Sequence, residues 1–171
     1  MRIGVMSDTH GNLEFMFHAT DALVREHGAT VLFHLGDDYR DAESLRRAGH
    51  EVRAVPGLWC PEYERNRVPR RLLEHFDGVS IACAHALEEI TGSDRRSDIL
   101  LHGHTHRPAI QERDHSIVFN PGHLKEHRSR GQIASYGLIN IEEKHLSFFV
   151  YRIDGLMVQQ RRQPRKPPVE E

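Results

Sequence analysis

Cysteine is scarce. The 171-residue chain has only Cys60 and Cys83, too few for a disulfide framework and not spaced as paired C-x-x-C zinc ligands. Long apolar runs are missing: none approaches the ~20 residues of a membrane span, so no membrane partner is expected. Neither sign of charge is in excess. The 23 Lys and Arg against 25 Asp and Glu leave a formal net charge of −2, which argues against long nucleic acid held by bulk electrostatics. Met1 to Val5 leads directly into Ser7, Asp8 and His10, with no room for the apolar core of a signal peptide. The expectation is a cytoplasmic protein. The length suits one domain over residues 1–158, with ~70% of the unfolded surface buried. Residues 159–171, basic and proline-containing, read as a solvated, disordered tail.

Histidine is abundant, with fourteen copies. His18, His27, His50 and His75 lie in polar stretches and read as surface residues. Others cluster beside aspartates at the ends of apolar runs. Ile3–Met6, Val31–Leu35 and Val52–Val55 read as buried strands. Between them, Asn12 caps a helix carrying Leu13, Met16, Phe17, Thr20, Leu23 and Val24 at helical spacing and stopped by Gly28. A second helix spans Asp41–Ala48. This alternation predicts parallel strands with crossover helices. The second half is strand-rich. Leu72–Phe76 and Val79–Ala84 flank the hairpin signal Asp77-Gly78, and Ile99–Leu101, Ile117–Phe119, Tyr136–Ile141 and Leu146–Tyr151 follow.

Asp8 and His10 end the first strand at i, i+2, which puts both on one side of an extended chain. Asp37 follows the second strand. His85 follows Val79–Ala84, and His104 and His106 follow Ile99–Leu101. Carboxyl ends of strands are where ligands gather in open α/β sheets. Each residue alone has a plain explanation, since aspartate is a common turn former and a lone His85 suits a half-buried hydrogen bond. Together, two carboxylates and four imidazoles suit Mn, Fe, Zn, Ni or Co. They are too many for one tetrahedral site and suit two ions about 3.5–4 Å apart. The histidine-triad hydrolase pattern fits less well. It wants apolar residues between the histidines, where Gly103 and Thr105 stand, and leaves Asp8, His10 and Asp37 unexplained.

In this order, Ser7-Asp8-Thr9-His10-Gly11, Gly36-Asp37, His85 and Gly103-His104-Thr105-His106 resemble the calcineurin-like metallophosphoesterases. The small single-domain phosphodiesterases of bacteria and archaea are the nearest branch, and Asn120-Pro121-Gly122 is similar to theirs. The resemblance runs from Met1 to about Arg152. It implies a four-layer α/β/β/α sandwich, with two packed mixed sheets flanked by helices. It also implies two divalent metals, manganese favoured. Asp8, His10 and His106 would hold one, His85 and His104 the other, and Asp37 would bridge them. The implied chemistry is attack of a metal-bound hydroxide on a small phosphodiester or phosphomonoester. The alternative is an interaction or scaffold module on the same fold with weak or no catalysis. A homo-oligomer fits either.

The sequence departs from the family pattern in three places. Leu58 follows Gly57 where the family has an asparagine ligand of the second metal, so the second site is expected to be weak unless Cys60 or Glu62 reaches in. Ala86 follows His85, and only eighteen residues separate His85 from His104, which curtails the covering region. His123 stands where a serine is common. The leaving-group acid is unassigned; His102 and Cys60 are its weak candidates.

Overall fold

The computed structural model describes residues 1–65 and 67–165. The first apolar run forms strand β1 (Arg2–Met6). Ile3 and Val5 enter one apolar cluster and Met6 another, as expected of a strand covered on both faces. Asn12 caps helix α1 (Leu13–Asp21), its side chain accepting the Phe15 amide. The helix continues as a π-helical turn, Ala22–Glu26, so the predicted single helix changes hydrogen bonding before Gly28. Strand β2 (Val31–His34), helix α2 (Tyr39–Arg47, capped by Asp38) and strand β3 (Val52–Ala54) follow. Strands β1, β2 and β3 are parallel neighbours, as the alternation predicted.

After the short helix α3 (Pro61–Glu64), strands β4 (Arg71–Phe76) and β5 (Val79–Ala84) form the expected hairpin, Phe76 opposite Val79. Strands β6 (Ile99–Leu101), β7 (Ala109–Arg113) and β8 (Ser116–Asn120) complete that sheet. Then come β9 (Arg128–Ser129), β10 (Gln132–Ile133), β11 (Ser135–Ile141), β12 (His145–Arg152) and β13 (Met157–Pro164).

The strands make a six-stranded sheet ordered β13-β12-β11-β1-β2-β3, a five-stranded sheet ordered β4-β5-β6-β8-β7, and the small ribbon β9-β10. Both large sheets are mixed. Ile3, Val5, Phe33 and Phe148 of the first share one buried cluster with Ile81, Cys83, Leu101 and Phe119 of the second, so the sheets pack face to face. The outer face of the first sheet, with Leu32, Val52 and Leu138, is covered by Met16, Leu23 and Leu45 of the helical segments. The outer face of the second is smaller. Ala82, Leu100 and Val118 are covered by Ile90 and Leu87, beside the 3-10 turns Leu87–Glu89 and Gly92–Arg96. The layered sandwich is the expected one, with its last helical layer reduced to these turns.

The boundary expected after residue 158 is corrected. Residues 159–164 belong to β13, where Gln159, Gln160 and Gln163 register opposite Val150, Phe149 and Leu146. An edge strand with one wet face needs no apolar alternation there, because its backbone pairing holds it. Polar composition therefore mimicked a tail. Residues 166–171 lie outside the described residues. No helix among the described residues is long and apolar enough to cross a membrane.

Candidate metal centre

Two parallel strand pairs carry the candidate ligands. Asp8 and His10 follow β1 and Asp37 follows β2, in one sheet. His85 follows β5, and His104 and His106 follow β6, in the other. Backbone bonds lock these loops together. The amides of Asp8 and His10 donate to the carbonyls of Gly36 and Asp37 at 2.9 Å each, and the Gly103 amide donates to the His85 carbonyl at 2.9 Å. The two sheets meet at Asp8, whose Oδ2 accepts the Ser7 hydroxyl at 2.5 Å and the His104 amide at 3.0 Å.

Local strain marks the same residues. Asp8, His10, Asp37, His104 and His106 all have positive φ, between 42° and 64°. This conformation costs roughly 1–2 kcal/mol for a non-glycine residue and concentrates at functional sites. Two glycines make the approach possible. A Cβ on Gly57 would overlap the Asp37 carboxylate, and one on Gly103 would overlap Ser7 Oγ and crowd Asp8.

The side chains converge. His106 Nε2 lies 3.2 Å from Asp8 Oδ1 and 3.4 Å from His10 Nε2. Asp37 Oδ2 lies 3.6 Å from His10 Nε2 and 3.4 Å from His85 Nε2. Two sets of donor atoms lie within 4.8 Å of one another: Asp8, His10 and His106; and Asp8, Asp37 and His85. Asp8 is common to both sets, and Asp37 spans from one to the other. His104 belongs to neither set; its ring packs edge-on against His85 at 5.1 Å.

Among the described residues, Asp8 Oδ1 and His85 Nε2 are buried with no hydrogen-bond partner, although His106 Nε2 at 3.2 Å and Asp37 Oδ2 at 3.4 Å lie within ion-pair range. Leaving such an atom unpaired costs about 1–3 kcal/mol. Burial opposes ionisation of Asp8, but His106, His85 and the Ser7 hydroxyl outweigh it and hold the carboxyl below its ordinary range. Asp37 is held down in the same way, with His85 as the main opponent of burial. Burial pushes the His85 imidazolium down, while Asp37 and Asp8 push harder and raise it.

Further residues support the ring orientations. His85 Nδ1 donates to the Leu35 carbonyl at 2.7 Å, and His106 Nδ1 shares a hydrogen bond with Ser129 Oγ at 3.1 Å. Each bond leaves Nε2 facing the centre. His123 is fully buried and stacks on His106 at 5.0 Å. Thr9, between the two β1 ligands, donates to Asp41 at 2.5 Å and contacts His34 Nε2 at 3.0 Å, while Asp41 also accepts the Gly11 amide at 2.8 Å. Sequence reasoning missed Ser129, Asp41 and His34. Only Thr9 carried a local signal, its place inside Asp8-Thr9-His10.

The loop after Gly57 does not replace the missing asparagine. Leu58 is half-buried in a turn. Cys60 is buried in the cluster of Tyr39, Ala42 and Leu45 beneath α2, and burial pushes its thiol up, so it faces the core as an inert thiol. Neither Cys60 nor Glu62 joins a donor set. His102 is also outside both sets and lines a neighbouring cleft.

Residues 1–144 match the sequence profile of the calcineurin-like phosphoesterase superfamily domain. The chain is 26% identical to the phosphodiesterase YfcE of Escherichia coli over 163 residues, 82% of this chain and 88% of that protein. It is 25% identical to a phosphodiesterase of Methanocaldococcus jannaschii over 161 residues, 84% of this chain and 95% of that protein. The solved structure of E. coli YfcE superposes with a TM-score of 0.74 at 24% identity, covering 94% of this chain and 98% of that one. Vps29 of Chaetomium thermophilum superposes with a TM-score of 0.73 at 16% identity, covering 97% and 100%; that likeness speaks for the fold alone.

Proposed function

The chain belongs to the calcineurin-like phosphoesterase superfamily, and on that footing we propose that it is a metal-dependent phosphoesterase acting on small phosphodiesters or phosphomonoesters. The observation that carries the reading is the cluster of convergent donors, within which Asp8 Oδ1 and His85 Nε2 are buried without a hydrogen bond. A scaffold on this fold would gain nothing from orphaning them. Metal ions held there would satisfy them.

The donors fit divalent metals of the Mn, Fe, Zn, Ni or Co class. Asp8, His10 and His106 would hold one and His85 and His104 the other, with Asp37 between. Bound metals supply Lewis acidity toward a phosphoryl oxygen and lower the pKa of water. The chain's own residues fix the geometry. The Leu35 carbonyl sets the His85 tautomer, Ser129 holds the His106 ring, and the Ser7 hydroxyl and His104 amide orient Asp8. Leu58 cannot ligate, so the two ions bind unequally, and esters with good leaving groups are the better substrates.

The test is metal titration of chelator-stripped protein by calorimetry, with hydrolysis of bis(4-nitrophenyl) phosphate followed in parallel. The expected result is one tight and one weak ion, with activity tracking the weak one. Leu58→Asn should tighten the weak site. Protein that binds no transition metal after loading would end the proposal.

A further inference from the structure

The ribbon of β9 and β10 has two sides. One side holds the loop that carries His104 and His106. Ser129 Oγ bonds with His106 Nδ1 at 3.1 Å, and the Arg130 guanidinium donates to the His104 carbonyl at 2.8 Å. The other side faces a cleft of about 290 Å³, lined by Arg128, Gly131, Gln132 and Ile133 of the ribbon. Arg152 at the end of β12, with Val158 and Gln159 of β13, forms the opposite wall. Val158 is there because of a bulge: Val150 registers opposite Gln159 and Tyr151 opposite Met157, so Val158 is the extra residue. Pro108 closes the cleft, two residues after His106, and its carbonyl accepts Gln159 Nε2 at 3.1 Å. The ribbon and the ligand loop thus both border it.

Arg128 and Arg152 are the cleft's charged lining, and no carboxylate lines it among the described residues. Both are lightly committed. Arg128 reaches the Gly131 carbonyl at 3.4 Å. Arg152 Nη2 donates to the exposed Asp154 carboxylate at 2.6 Å. Its Nε is buried with no hydrogen-bond partner among the described residues, a cost that an added acceptor would remove. Two guanidiniums against the one Asp154 carboxylate leave a single positive charge. That suits a monoanion better than a doubly charged phosphate, and guanidinium forks match carboxylate geometry. Gln132, Ser135 and Gln159 add polarity without charge, and the Ser135 hydroxyl is already given to the Pro121 carbonyl at 2.7 Å. Pro108, Ile133 and Val158 offer apolar surface to a hydrocarbon body. The size suits a small molecule.

We propose that this cleft binds a small organic monocarboxylate with an apolar body, and that its occupation tightens the metal centre through the ribbon. The binding stands by itself; the coupling rests on the metal-centre reading. Strands of two residues each make a ribbon that is marginal alone. A carboxylate held by Arg128 of the ribbon and Arg152 of β12 ties it to the large sheet. Ser129 and Arg130 are then restrained, and with them the His106 ring and the His104 backbone. By reciprocity, a bound metal tightens the carboxylate by the same factor.

NMR titration of metal-free protein reads the binding, with no ion present to attract the carboxylate. The probes are 3-phenylpropionate, its neutral counterpart 3-phenylpropan-1-ol, and inorganic phosphate. The carboxylate should bind roughly tenfold more tightly than either and shift the amides of Gly131, Gln132 and Ile133. Arg128→Gln and Arg152→Gln should each weaken it to the level of the alcohol. Arg128 is exposed, so its variant remains informative if Arg152→Gln fails to fold. Equal binding of acid and alcohol, or full affinity in Arg128→Gln, would overturn the site. Tighter binding of phosphate would overturn its selectivity for a carboxylate. Saturating 3-phenylpropionate should then raise manganese affinity at the tighter site about fivefold or more in the wild type, and leave Arg128→Gln unchanged. A carboxylate that merely ligated the metal would act equally on both proteins; that result, or no change in either, would overturn the coupling. The first titration contains neither metal nor ester. Protein that binds no manganese therefore ends the phosphoesterase reading and the coupling, while the carboxylate site is decided separately.

Discussion

Asp37 stands between histidines from the two sheets, 3.6 Å from His10 and 3.4 Å from His85. Its position makes demands on the structure around it. Its backbone has a positive φ of 42°, and its carboxylate occupies the space that a side chain at position 57 would need. A residue held so firmly between two ions would couple them. Removing it separates both from their shared negative charge, whereas removing one imidazole weakens a single site. Asp37→Ala should therefore lower kcat/KM at least tenfold more than His10→Ala at saturating manganese. Comparable losses in the two variants would place the bridging role elsewhere, and Asp8, common to both donor sets, would be the residue to examine. Gly57→Ala should mimic the loss, because the new methyl group displaces the Asp37 carboxylate rather than deleting it.

At the scale of elements, legibility followed locality. Strands β1, β2 and β5 were readable because each is an apolar run stopped by a turn, and α1 because Asn12 caps an amphipathic repeat. The candidate ligands were readable for the same reason: Asp8 with His10, and His104 with His106, are i, i+2 pairs directly after such runs. Strands β7 and β13 were not readable. Both are edge strands with exposed positions, so pairing rather than side-chain pattern defines them. The contacts that hold the ligands were also silent, because they span long stretches of chain: Thr9 to Asp41, His85 to Leu35, His106 to Ser129. The ribbon of β9 and β10 is the clearest case. It is two residues per strand, invisible to any periodicity, and delivers Ser129 to His106. Ser129→Ala frees that ring to turn. Metal affinity at the tighter site should drop 10–100-fold, with thermal stability of the metal-free protein nearly unchanged. Affinity within twofold of wild type would show that stacking on His123 alone orients the imidazole.

The whole molecule pays for its buried centre in acid. His34 ends β2, is fully buried, and lies between Thr9 and the Gly36 amide. Burial pushes its pKa down to about 4, against the partial opposition of nearby carboxylates. In the unfolded chain the imidazole titrates near 6.5. Between these values the unfolded state binds a proton that the folded state refuses, so stability rises with pH across the window. The folded state is at full advantage above about pH 6.5, loses ground as pH falls toward 4, and loses no more from this group below that. At 1.36 kcal/mol per pH unit, acidification from pH 7.5 to 4.5 should cost roughly 2–3 kcal/mol from His34 alone. For a chain of this size that is a fall in Tm of roughly 5–10 °C. His34→Gln keeps a hydrogen-bonding group at the site and removes the titration. Chelator-treated wild type and variant, melted across that range, isolate the effect, because the titration of His10, His85 and the carboxylates is common to both. The wild type should lose the larger share of Tm, and the two curves should converge as pH falls. Parallel curves would mean that His34 takes up its proton without unfolding the protein, and that the seam between β2 and the metal centre admits water.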